Sequence, residues 1–406
     1  MIFIKVIVIG GGASGLVAAI YASLNNDVTI LEKNSKCGRK ILVSGNGKCN
    51  YFNSDFTIKH FNTENDKLKR IISKNNQDEI LNFFDSIGIV PNIKNGYYYP
   101  MSNQSVSILE SLIKEANIRG VNIITDTNVY DISYNNGYNI KTNNGIYKAD
   151  SVIMSMGSHA YYNEKSIGYD ILKKFNHTIN PVLPGLVQLV SNNPLKSASG
   201  VRIDANLSLY ENGNLISNSS GEVQLTDYGI SGICVFQLSS KVSKGLYLNK
   251  KEIIHINFLP WIDNFISYMD KRNKKLKNRT ISELFDGIMN YKLSNNLLDI
   301  CNIKYNDKWD NLSDKNKSTL NKVVTDYEFN IIDTKGFKNA QTCCGGVSIN
   351  EINPDTMESL KQDNLYITGE LIDVDGHCGG YNLGFAWITG MLAGRNLNDK
   401  NKTNKS

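Results

Sequence analysis

The chain has 406 residues, of which 41 % are hydrophobic and 20 % charged, and its formal net charge is +5. This length allows two domains or one domain with a large insertion. The composition predicts a soluble globular protein, and the small charge gives no reason to expect a nucleic-acid partner. Seven cysteines without regular spacing argue against a disulfide framework, and no unbroken apolar run reaches the roughly 18 residues of a membrane span. We therefore expect a cytoplasmic protein without a membrane partner.

The first predicted element is a strand that leads into a glycine-rich turn. Val6–Ile9 are four β-branched residues, which are typical of a strand buried on both faces. The following residues fit G-x-G-x-x-G: Gly10 allows the tight turn, Gly12 lets the backbone approach a pyrophosphate, and Gly15 lets the next helix pack closely. A second strand ends at Glu32, which is placed to accept hydrogen bonds from the adenosine ribose. Strand, glycines, helix, strand and acid in register predict a dinucleotide site.

The next part of the chain mixes loops, helices and short strands. A glycine-punctuated loop covers residues 37–50, and helices are predicted over residues 64–87 and 104–119. Strands are predicted over residues 122–125, 129–133, 138–142, 145–148 and 151–156, then over residues 201–210 and 221–226, with mostly helices from about residue 263 to 324.

Changes in this pattern indicate the domain organisation. We expect a nucleotide-binding domain whose first part covers residues 1–185 and whose second part covers residues 340–397. Between them, residues 186–339 form a mixed insertion domain of β structure and helices, in which we expect specificity to lie. Residues 398–406 are polar and are predicted to be a flexible tail.

The C-terminal part carries a second set of motifs. A strand ends at Gly369 and Glu370, and a glycine-rich turn then leads into an apolar helix near Asn382. If the ADP half of FAD occupies the first turn, its flavin needs a second anchor elsewhere on the sheet. A helix N-terminus favours the negative charge that develops on the reduced flavin by roughly 0.3–1 kcal/mol. An NAD-only dehydrogenase has no use for such an anchor, so these motifs predict FAD.

Several of these segments together resemble a known family. They are Ser44-Gly45-Asn46-Gly47-Lys48-Cys49-Asn50, residues 226–232, 341–347 and 351–359, Gly369-Glu370, Asp373-Val374-Asp375-Gly376 and Gly379-Gly380-Tyr381-Asn382. They resemble the bacterial BaiN/YhiN-type flavoproteins, known as NAD(P)/FAD-dependent oxidoreductases or aminoacetone-oxidase-family FAD-binding enzymes. The resemblance covers nearly the whole chain. It implies an α/β fold, a glutathione-reductase-like FAD-binding Rossmann domain interrupted by a mixed β-plus-helical insertion domain. It implies no secure substrate, because members are linked both to steroid-like enone reduction and to aminoketone oxidation.

The turn and the resemblance together give a set of expected cofactor-binding residues. From the first turn and second strand these are Gly10, Gly12, Ala13, Ser14, Gly15, Glu32 and Lys33. The resemblance implies that Arg39, Lys40 and the loop Ser44, Gly45, Asn46, Gly47, Lys48, Cys49 and Asn50 lie along the pyrophosphate and flavin, although the loop could serve chain reversal alone. It also implies that Val129 borders the adenine and that Met156 and Gly157 lie near the ADP portion. The C-terminal set is Gly369, Glu370, Asp375, Gly380, Tyr381, Asn382 and Leu383.

Other chemically active residues keep two interpretations. Cys343, Cys344 and Cys378 could be catalytic thiols, but small core residues are the favoured interpretation, with Cys378 the best candidate for a thiolate of low pKa at a helix N-terminus. His377 could donate a proton to substrate or simply occupy a turn. The other histidines, His60, His159, His177 and His255, lack metal-ligand spacing, so no metal is predicted. Residues 97–100 and Tyr228 could line a substrate pocket or pack ordinarily.

These observations predict an FAD-dependent oxidoreductase. We expect NAD(P)H to reduce the flavin, which passes hydride to a small organic acceptor such as an enone. No second G-x-G-x-x-G follows a strand, so NAD(P)H would bind transiently. The alternatives are an amine or aminoketone oxidase that uses oxygen, a non-enzymatic flavin redox sensor and a flavoenzyme acting on tRNA. The sequence identifies neither a catalytic residue nor an oligomeric state.

Overall fold

The computed structural model describes residues 4–161 and 166–403. The chain forms two compact units, one of residues 1–182 with 342–406 and the other of residues 183–341. All of residues 186–339, the expected insertion, lie in the second unit. No helix in the described part of the chain combines the length and the apolar composition needed to cross a membrane.

The regular elements are numbered in chain order. The strands are β1 (Ile4–Ile9), β2 (Asn26–Leu31), β3 (Phe52–Asn53), β4 (Pro91–Lys94), β5 (Tyr97–Pro100), β6 (Asn122–Ile124), β7 (Val129–Tyr134), β8 (Tyr138–Thr142), β9 (Gly145–Ala149), β10 (Ser151–Met154), β11 (Ile179–Gly185), β12 (Leu189–Ser191), β13 (Arg202–Glu211), β14 (Asn214–Leu225), β15 (Gly229–Ser231), β16 (Glu252–Asn257), β17 (Tyr327–Thr334), β18 (Thr342–Val347) and β19 (Leu365–Ile367). The helices are α1 (Ala13–Ala22), α2 (Arg39–Val43), α3 (Asp66–Ile71), α4 (Lys74–Ser86), α5 (Ser105–Ile118), α6 (Gly168–Lys174), α7 (Ile233–Tyr247), α8 (Phe265–Lys275), α9 (Ile281–Phe285), α10 (Tyr291–Ile300), α11 (Asp314–Thr325) and α12 (Tyr381–Thr403).

A parallel sheet forms the centre of the first unit. Its strand order is β19-β10-β1-β2-β6, and in β1 the residue Ile7 pairs with Val152 on one side and with Thr29 on the other. The central position of β1 explains its apolar sequence, because helices cover both faces of such a sheet. Parallel strands end at a common edge, so the turns after β1, β2, β10 and β19 meet there. The predicted Rossmann-type α/β fold is confirmed.

Helix α12 packs closely against α1 because two of its residues have no side chain. An added Cβ at Gly390 would overlap the carbonyl oxygen of Ser14, and one at Gly394 would overlap that of Ala18. This close approach holds the C-terminal helix against the first βα unit.

The chain end differs from the expected tail. Helix α12 continues through residue 398 to Thr403, and Asn398 is buried. Its Oδ1 accepts hydrogen bonds from the Asn25 backbone N–H (3.1 Å) and from Asn26 Nδ2 (3.2 Å). Helix α12 therefore extends into the predicted tail as far as residue 403, residues 404–406 lie outside the described residues, and the flexibility of residues 398–406 stays a prediction.

The predicted helix over residues 64–87 is two helices, α3 and α4. Side-chain amides replace the backbone hydrogen bonds at the break: Asn76 Nδ2 donates to the Ile71 carbonyl (2.8 Å) and Gln77 Nε2 to the Ile72 carbonyl (2.6 Å). Asparagine and glutamine can satisfy helix-end carbonyls in this way, so the apolar periodicity continues across a change of direction.

The second unit contains a closed barrel. Its strand order is β12-β15-β14-β13-β16-β17. Leu207 and Leu209 alternate with more exposed residues along β13 and lie in the core with Ile254 and Phe329. Alternation of this kind predicts strands, but it carries no information on which strands close the barrel.

Candidate functional site

Of the three glycines that fit G-x-G-x-x-G in the first turn, two are tightly packed and one faces open space. An added Cβ at Gly10 would overlap the Ser155 carbonyl oxygen, and one at Gly15 would overlap the Gly10 carbonyl oxygen. Around Gly12, by contrast, no atom lies within 4 Å of the position of an added Cβ. Gly12 is the N-cap of α1, so the open space lies at a helix N-terminus, where a phosphate is favoured. Packing explains Gly10 and Gly15 but not Gly12, whereas approach of a pyrophosphate explains Gly12.

Glu32 lies at the end of β2 and is held by backbone and side-chain donors. It is buried, its Oε2 accepts from the Gly11 N–H at 2.8 Å, and its Oε1 accepts from the Asn34 N–H at 2.8 Å. The Thr127 N–H donates to the Glu32 carbonyl, which brings the start of β7 and the buried Val129 to this edge. The carboxylate is therefore preorganised beside the turn, with acceptor capacity remaining for ribose hydroxyls.

Three basic residues near the first turn differ in their exposure to solvent. Lys33 and Arg39 are exposed, and Arg39 Nη1 donates to Asn34 Oδ1 at 2.8 Å. Lys40 is half-buried, and its Nζ lies 2.5 Å from Glu370 Oε2. Lys40 therefore joins the N-terminal part of the unit to the C-terminal motif.

The loop after α2 is built from left-handed backbone. Gly45, Asn46 and Gly47 have φ values of 55°, 53° and 79°. The Cys49 N–H closes the turn on the Ser44 carbonyl at 3.0 Å, and the buried Cys49 anchors it. Three left-handed residues in succession need small or amide side chains, and they leave residues 45–48 exposed on this surface.

The C-terminal motifs contact this N-terminal surface directly. An added Cβ at Gly369 would lie 2.7 Å from Ser14 Oγ, and one at Gly380 would lie 3.0 Å from the Asn50 side-chain amide. Glu370 also accepts from Ser158 Oγ at 2.9 Å. These contacts and the Lys40–Glu370 pair connect the two sets of predicted residues into one continuous cradle.

The remaining predicted residues occupy the same edge in different ways. Met156 is half-buried and follows β10, and added atoms at Gly157 would meet nothing within 4 Å. Asn382 accepts from the Gly376 N–H at 2.9 Å and so closes the turn before α12, where Leu383 is half-buried. Asp375 is fully buried, and its carboxylate accepts from Asn62 Nδ2 at 2.7 Å. The contact with the cofactor that the sequence predicts for Asp375 stays a prediction.

A cluster of titratable groups beside the start of α12 was missed by the sequence analysis. His60 Nε2 lies 2.9 Å from Asp55 Oδ2, and the His60 ring stacks on Tyr381 with 4.5 Å between centroids. The His377 N–H donates to the His60 carbonyl at 2.8 Å. His60 and then Lys59 hold the pKa of Asp55 well below its usual range, while burial raises the pKa of Tyr381 above its usual range. No spacing in the sequence signals this cluster, because it joins residues more than 300 positions apart.

Comparison with known proteins identifies the family. The model of the HI0933-like protein Rossmann domain family matches residues 4–396. A 3-dehydro-bile acid delta(4,6)-reductase from Clostridium scindens is 39 % identical over 405 residues, covering 96 % of this chain and 97 % of the relative. The chain belongs to the HI0933-like family. Another relative, a ribosomal RNA dihydrouridine synthase from Escherichia coli, is 25 % identical over 400 residues and covers the same shares.

A solved structure supports the fold of this HI0933-like protein. An open conformation of a flavocytochrome c3 fumarate reductase matches 98 % of the chain and 78 % of its own, with a TM-score of 0.50 and 15 % identity. At this identity the likeness concerns fold alone. With the family match it confirms the predicted Rossmann fold. The class of FAD-dependent oxidoreductase is confirmed by the family match and by the 39 % identity to a reductase.

Six of the seven cysteines of the HI0933-like chain are buried, and Cys378 is half-buried. No disulfide joins any of the seven, all of which lie in the described residues. Burial raises the pKa of Cys343 to about 11 and that of Cys378 to about 12. The raised pKa of Cys378 argues against the less favoured interpretation, a catalytic thiolate of low pKa, because burial disfavours the charged form.

One group of possible metal ligands lies in the second unit. Among the described residues, ligand atoms of His255, Asp326 and Glu328 lie within 4.8 Å of one another. His255 Nδ1 pairs with Asp326 Oδ1 at 2.7 Å, and Lys322 pairs with Glu328 at 3.2 Å. These ion pairs account for the cluster without a metal, so the sequence-based expectation of no metal stays a prediction.

Proposed function

We propose that this FAD-dependent oxidoreductase reduces a carbon–carbon double bond conjugated to a carbonyl in a small organic acceptor, with NAD(P)H as the hydride source. The names of the relatives support this reaction class. A 3-dehydro bile acid with delta(4,6) unsaturation is a conjugated ketone, and the ring double bond of a uridine is conjugated to a ring carbonyl. The higher identity to the bile acid reductase favours a small-molecule enone.

One observation carries the proposal. The N-terminal and C-terminal cofactor motifs lie against each other, beside the cluster of Asp55, His60 and Tyr381. Reduction of a conjugated double bond adds a hydride to one carbon and a proton to its neighbour, while charge develops on the carbonyl oxygen. When bound, FAD supplies the hydride chemistry. We propose that the cradle residues predicted from the sequence hold it, with Gly12 facing the pyrophosphate and Glu32 the ribose.

The chain's own contribution to the reaction would be proton supply and polarisation. The depressed pKa of Asp55 keeps this carboxylate charged at neutral pH, where it accepts a hydrogen bond from His60 Nε2. The raised pKa of Tyr381 keeps its hydroxyl protonated and makes it a weaker acid. We propose that His60, whose Nε2 lies beside the Asp55 carboxylate and whose ring stacks on Tyr381, supplies the proton beside the N-terminus of α12.

The donor and location complete the proposal. Because the sequence has no second dinucleotide fingerprint, we propose that NAD(P)H binds transiently to the reductase. We propose a cytoplasmic location, since seven thiols without a disulfide suit a reducing compartment.

An anaerobic donor and acceptor screen tests the function. NADH or NADPH should bleach the oxidised flavin rapidly, and a steroid-like enone added afterwards should restore its absorbance with formation of the saturated ketone. Bleaching by an amine with peroxide formation in air would instead establish an oxidase, and reoxidation only by uridine-containing ribosomal RNA would replace the small acceptor with RNA. Slow bleaching by every donor would reject the enzyme.

His60→Gln provides the first variant for this screen. We expect acceptor reduction to slow by roughly 100-fold, the usual contribution of a general acid, while flavin bleaching by NAD(P)H stays unchanged. His255→Gln, in the second unit, is the control and should retain both rates. Equal rates in His60→Gln and the unmodified protein would remove His60 from the reaction.

A further inference from the structure

A polar cavity lies in the first unit, between the loop of residues 44–50 and the hairpin formed by β4 and β5. Its volume is about 230 Å³. Complete ligand pockets have volumes of roughly 300–1,000 Å³, so this cavity suits one arm of a ligand. Its lining residues are basic, amide or phenolic: Lys48, Lys94, Asn95, Tyr97, Tyr99 and Asn103.

The charge of this cavity is positive. Lys48 and Lys94 line it, and no acidic side chain does. In the part of the chain that the structure describes, neither lysine forms an ion pair. Two ammonium groups that share a concave surface without carboxylates favour an anion, and amide and phenol groups add hydrogen-bond donors.

The cavity shares its walls with both predicted flavin-binding segments. Lys48 belongs to the loop of residues 44–50, and the edge of the Tyr99 ring lies 3.7 Å from an added Cβ at Gly45 of that loop. On the other side, Tyr97 Cε1 lies 2.7 Å from an added Cβ at Gly379, in the turn before α12. A ligand arm in the cavity would therefore belong to a molecule that reaches the flavin.

We propose that this cavity is an anion subsite that holds the phosphate or carboxylate arm of a ring-bearing molecule reacting at the neighbouring flavin. The proposal rests on the proposed function for the reaction, but binding of the anion can be measured without turnover. Two molecules of the reaction carry this chemistry: a nicotinamide donor with its phosphates, and an enone acceptor with a carboxylate.

The lysine variants Lys94→Gln and Lys48→Gln/Lys94→Gln test the subsite in the FAD-loaded protein. A charge-assisted hydrogen bond contributes about 1.5–3 kcal/mol, so each lost ammonium should raise the KM of the anionic ligand by about 10-fold or more. The kcat of Lys94→Gln should stay within about twofold, since Lys94 touches no reacting atom. Lys94 lies outside the flavin motifs, so its variant should keep FAD occupancy. Lys114→Gln/Lys148→Gln is the matched control, since it removes two exposed lysines of the same unit for which the described residues show no ion pair.

Kinetics with four ligands show whether the anion in the cavity comes from the nicotinamide donor or from the acceptor. KM is measured for NADPH, for NADH, for a carboxylated enone and for its neutral methyl ester. A rise confined to the nicotinamides assigns the cavity to the donor, and a rise for the carboxylate but not its ester assigns it to the acceptor. Equal KM values for the variants and the control pair, or equal effects on acid and ester with none on nicotinamides, would overturn the subsite.

A binding measurement distinguishes failure of the subsite from failure of the proposed reaction. NADP⁺ and the carboxylated enone are titrated into oxidised protein, and the perturbation of the flavin absorption spectrum is followed. Binding that is weakened about 10-fold in Lys94→Gln supports the subsite even if no donor or acceptor turns over. No anion-dependent perturbation in the unmodified protein would reject the subsite even if turnover is found.

Discussion

Two glycines, one from each unit of this chain, lack a side chain for different physical reasons. In the parallel-sheet unit Gly12 faces open space at the N-terminus of α1, whereas in the barrel unit an added Cβ at Gly229 would overlap the Leu189 carbonyl oxygen. The first glycine leaves room for a ligand and the second for the protein's own backbone. A cofactor of fixed shape imposes a fixed spacing on a sequence, whereas a barrel imposes only alternation and a few close approaches. The sequence of the first unit therefore contains a recognisable cofactor-binding motif, whereas that of the second unit indicates only strands.

Gly12→Val gives the largest expected effect of this comparison. Gly12 has φ −83° and ψ −163°, which valine adopts readily, and its side chain would meet no protein atom. Overlap with a bound pyrophosphate should weaken FAD binding by about 100-fold or more. Flavin released on denaturation measures occupancy, and the thermal unfolding of the apo form should match that of the unmodified apo protein. Full occupancy would contradict the cradle.

Gly229→Ala is the matching change in the barrel. The methyl group would overlap backbone and so destabilise the folded state, by about 1–3 kcal/mol as for other overpacked sites. FAD per folded molecule should not change. Thermal unfolding with flavin quantification checks both, and a stable variant that has lost FAD would break the distinction between the two units.

Glu252 provides a pH-dependent test within the barrel. Glu252 is buried opposite Glu211 on the paired strand, and Lys250 pairs with Glu211 at 2.7 Å. Burial first, and then Glu211, raise the pKa of Glu252 to about 7 from its ordinary 4.5. The folded state therefore prefers the protonated carboxyl, and stability falls as the pH rises from 4.5 to 7.

Glu252→Gln removes this penalty. Relative to the unmodified protein, the variant should gain about 1–3 kcal/mol between pH 5 and pH 8. Urea unfolding at both pH values measures the gain. Glu222→Gln, which replaces an exposed carboxylate of the same barrel, should show no comparable change. A pH-independent difference for Glu252→Gln would exclude the raised pKa.

Cys344→Ala gives the smallest expected effect. Cys344 is fully buried in β18, so its replacement should cost about 1 kcal/mol of stability. FAD retention should be intact, because the thiol is a core group and not a cofactor contact. Loss of flavin from a folded variant would show that this strand belongs to the cradle.

The sequence predicted a set of cofactor-binding residues, and the structure brings the glycine turn, Glu32 and the helix at Tyr381 to one edge. That these residues hold FAD stays a prediction. The His60–Asp55–Tyr381 cluster could not be predicted, because tertiary contact alone joins it. Both interpretations of Cys378 stayed open because the sequence shows a helix N-terminus but not burial. The break between α3 and α4 depends on hydrogen bonds from the side-chain amides of Asn76 and Gln77. The spacing of apolar residues does not reveal such bonds.

The central claim concerns electron flow from the cradle to a conjugated double bond, and a single-turnover experiment tests it most directly. The FAD-loaded protein is reduced with dithionite, which bypasses the nicotinamide donor, and is mixed without oxygen with a steroid-like enone. The account predicts that oxidised-flavin absorbance returns and that one saturated ketone forms per flavin. Persistent reduced flavin in the presence of the enone, followed by rapid oxidation and peroxide formation when oxygen is admitted, would contradict it.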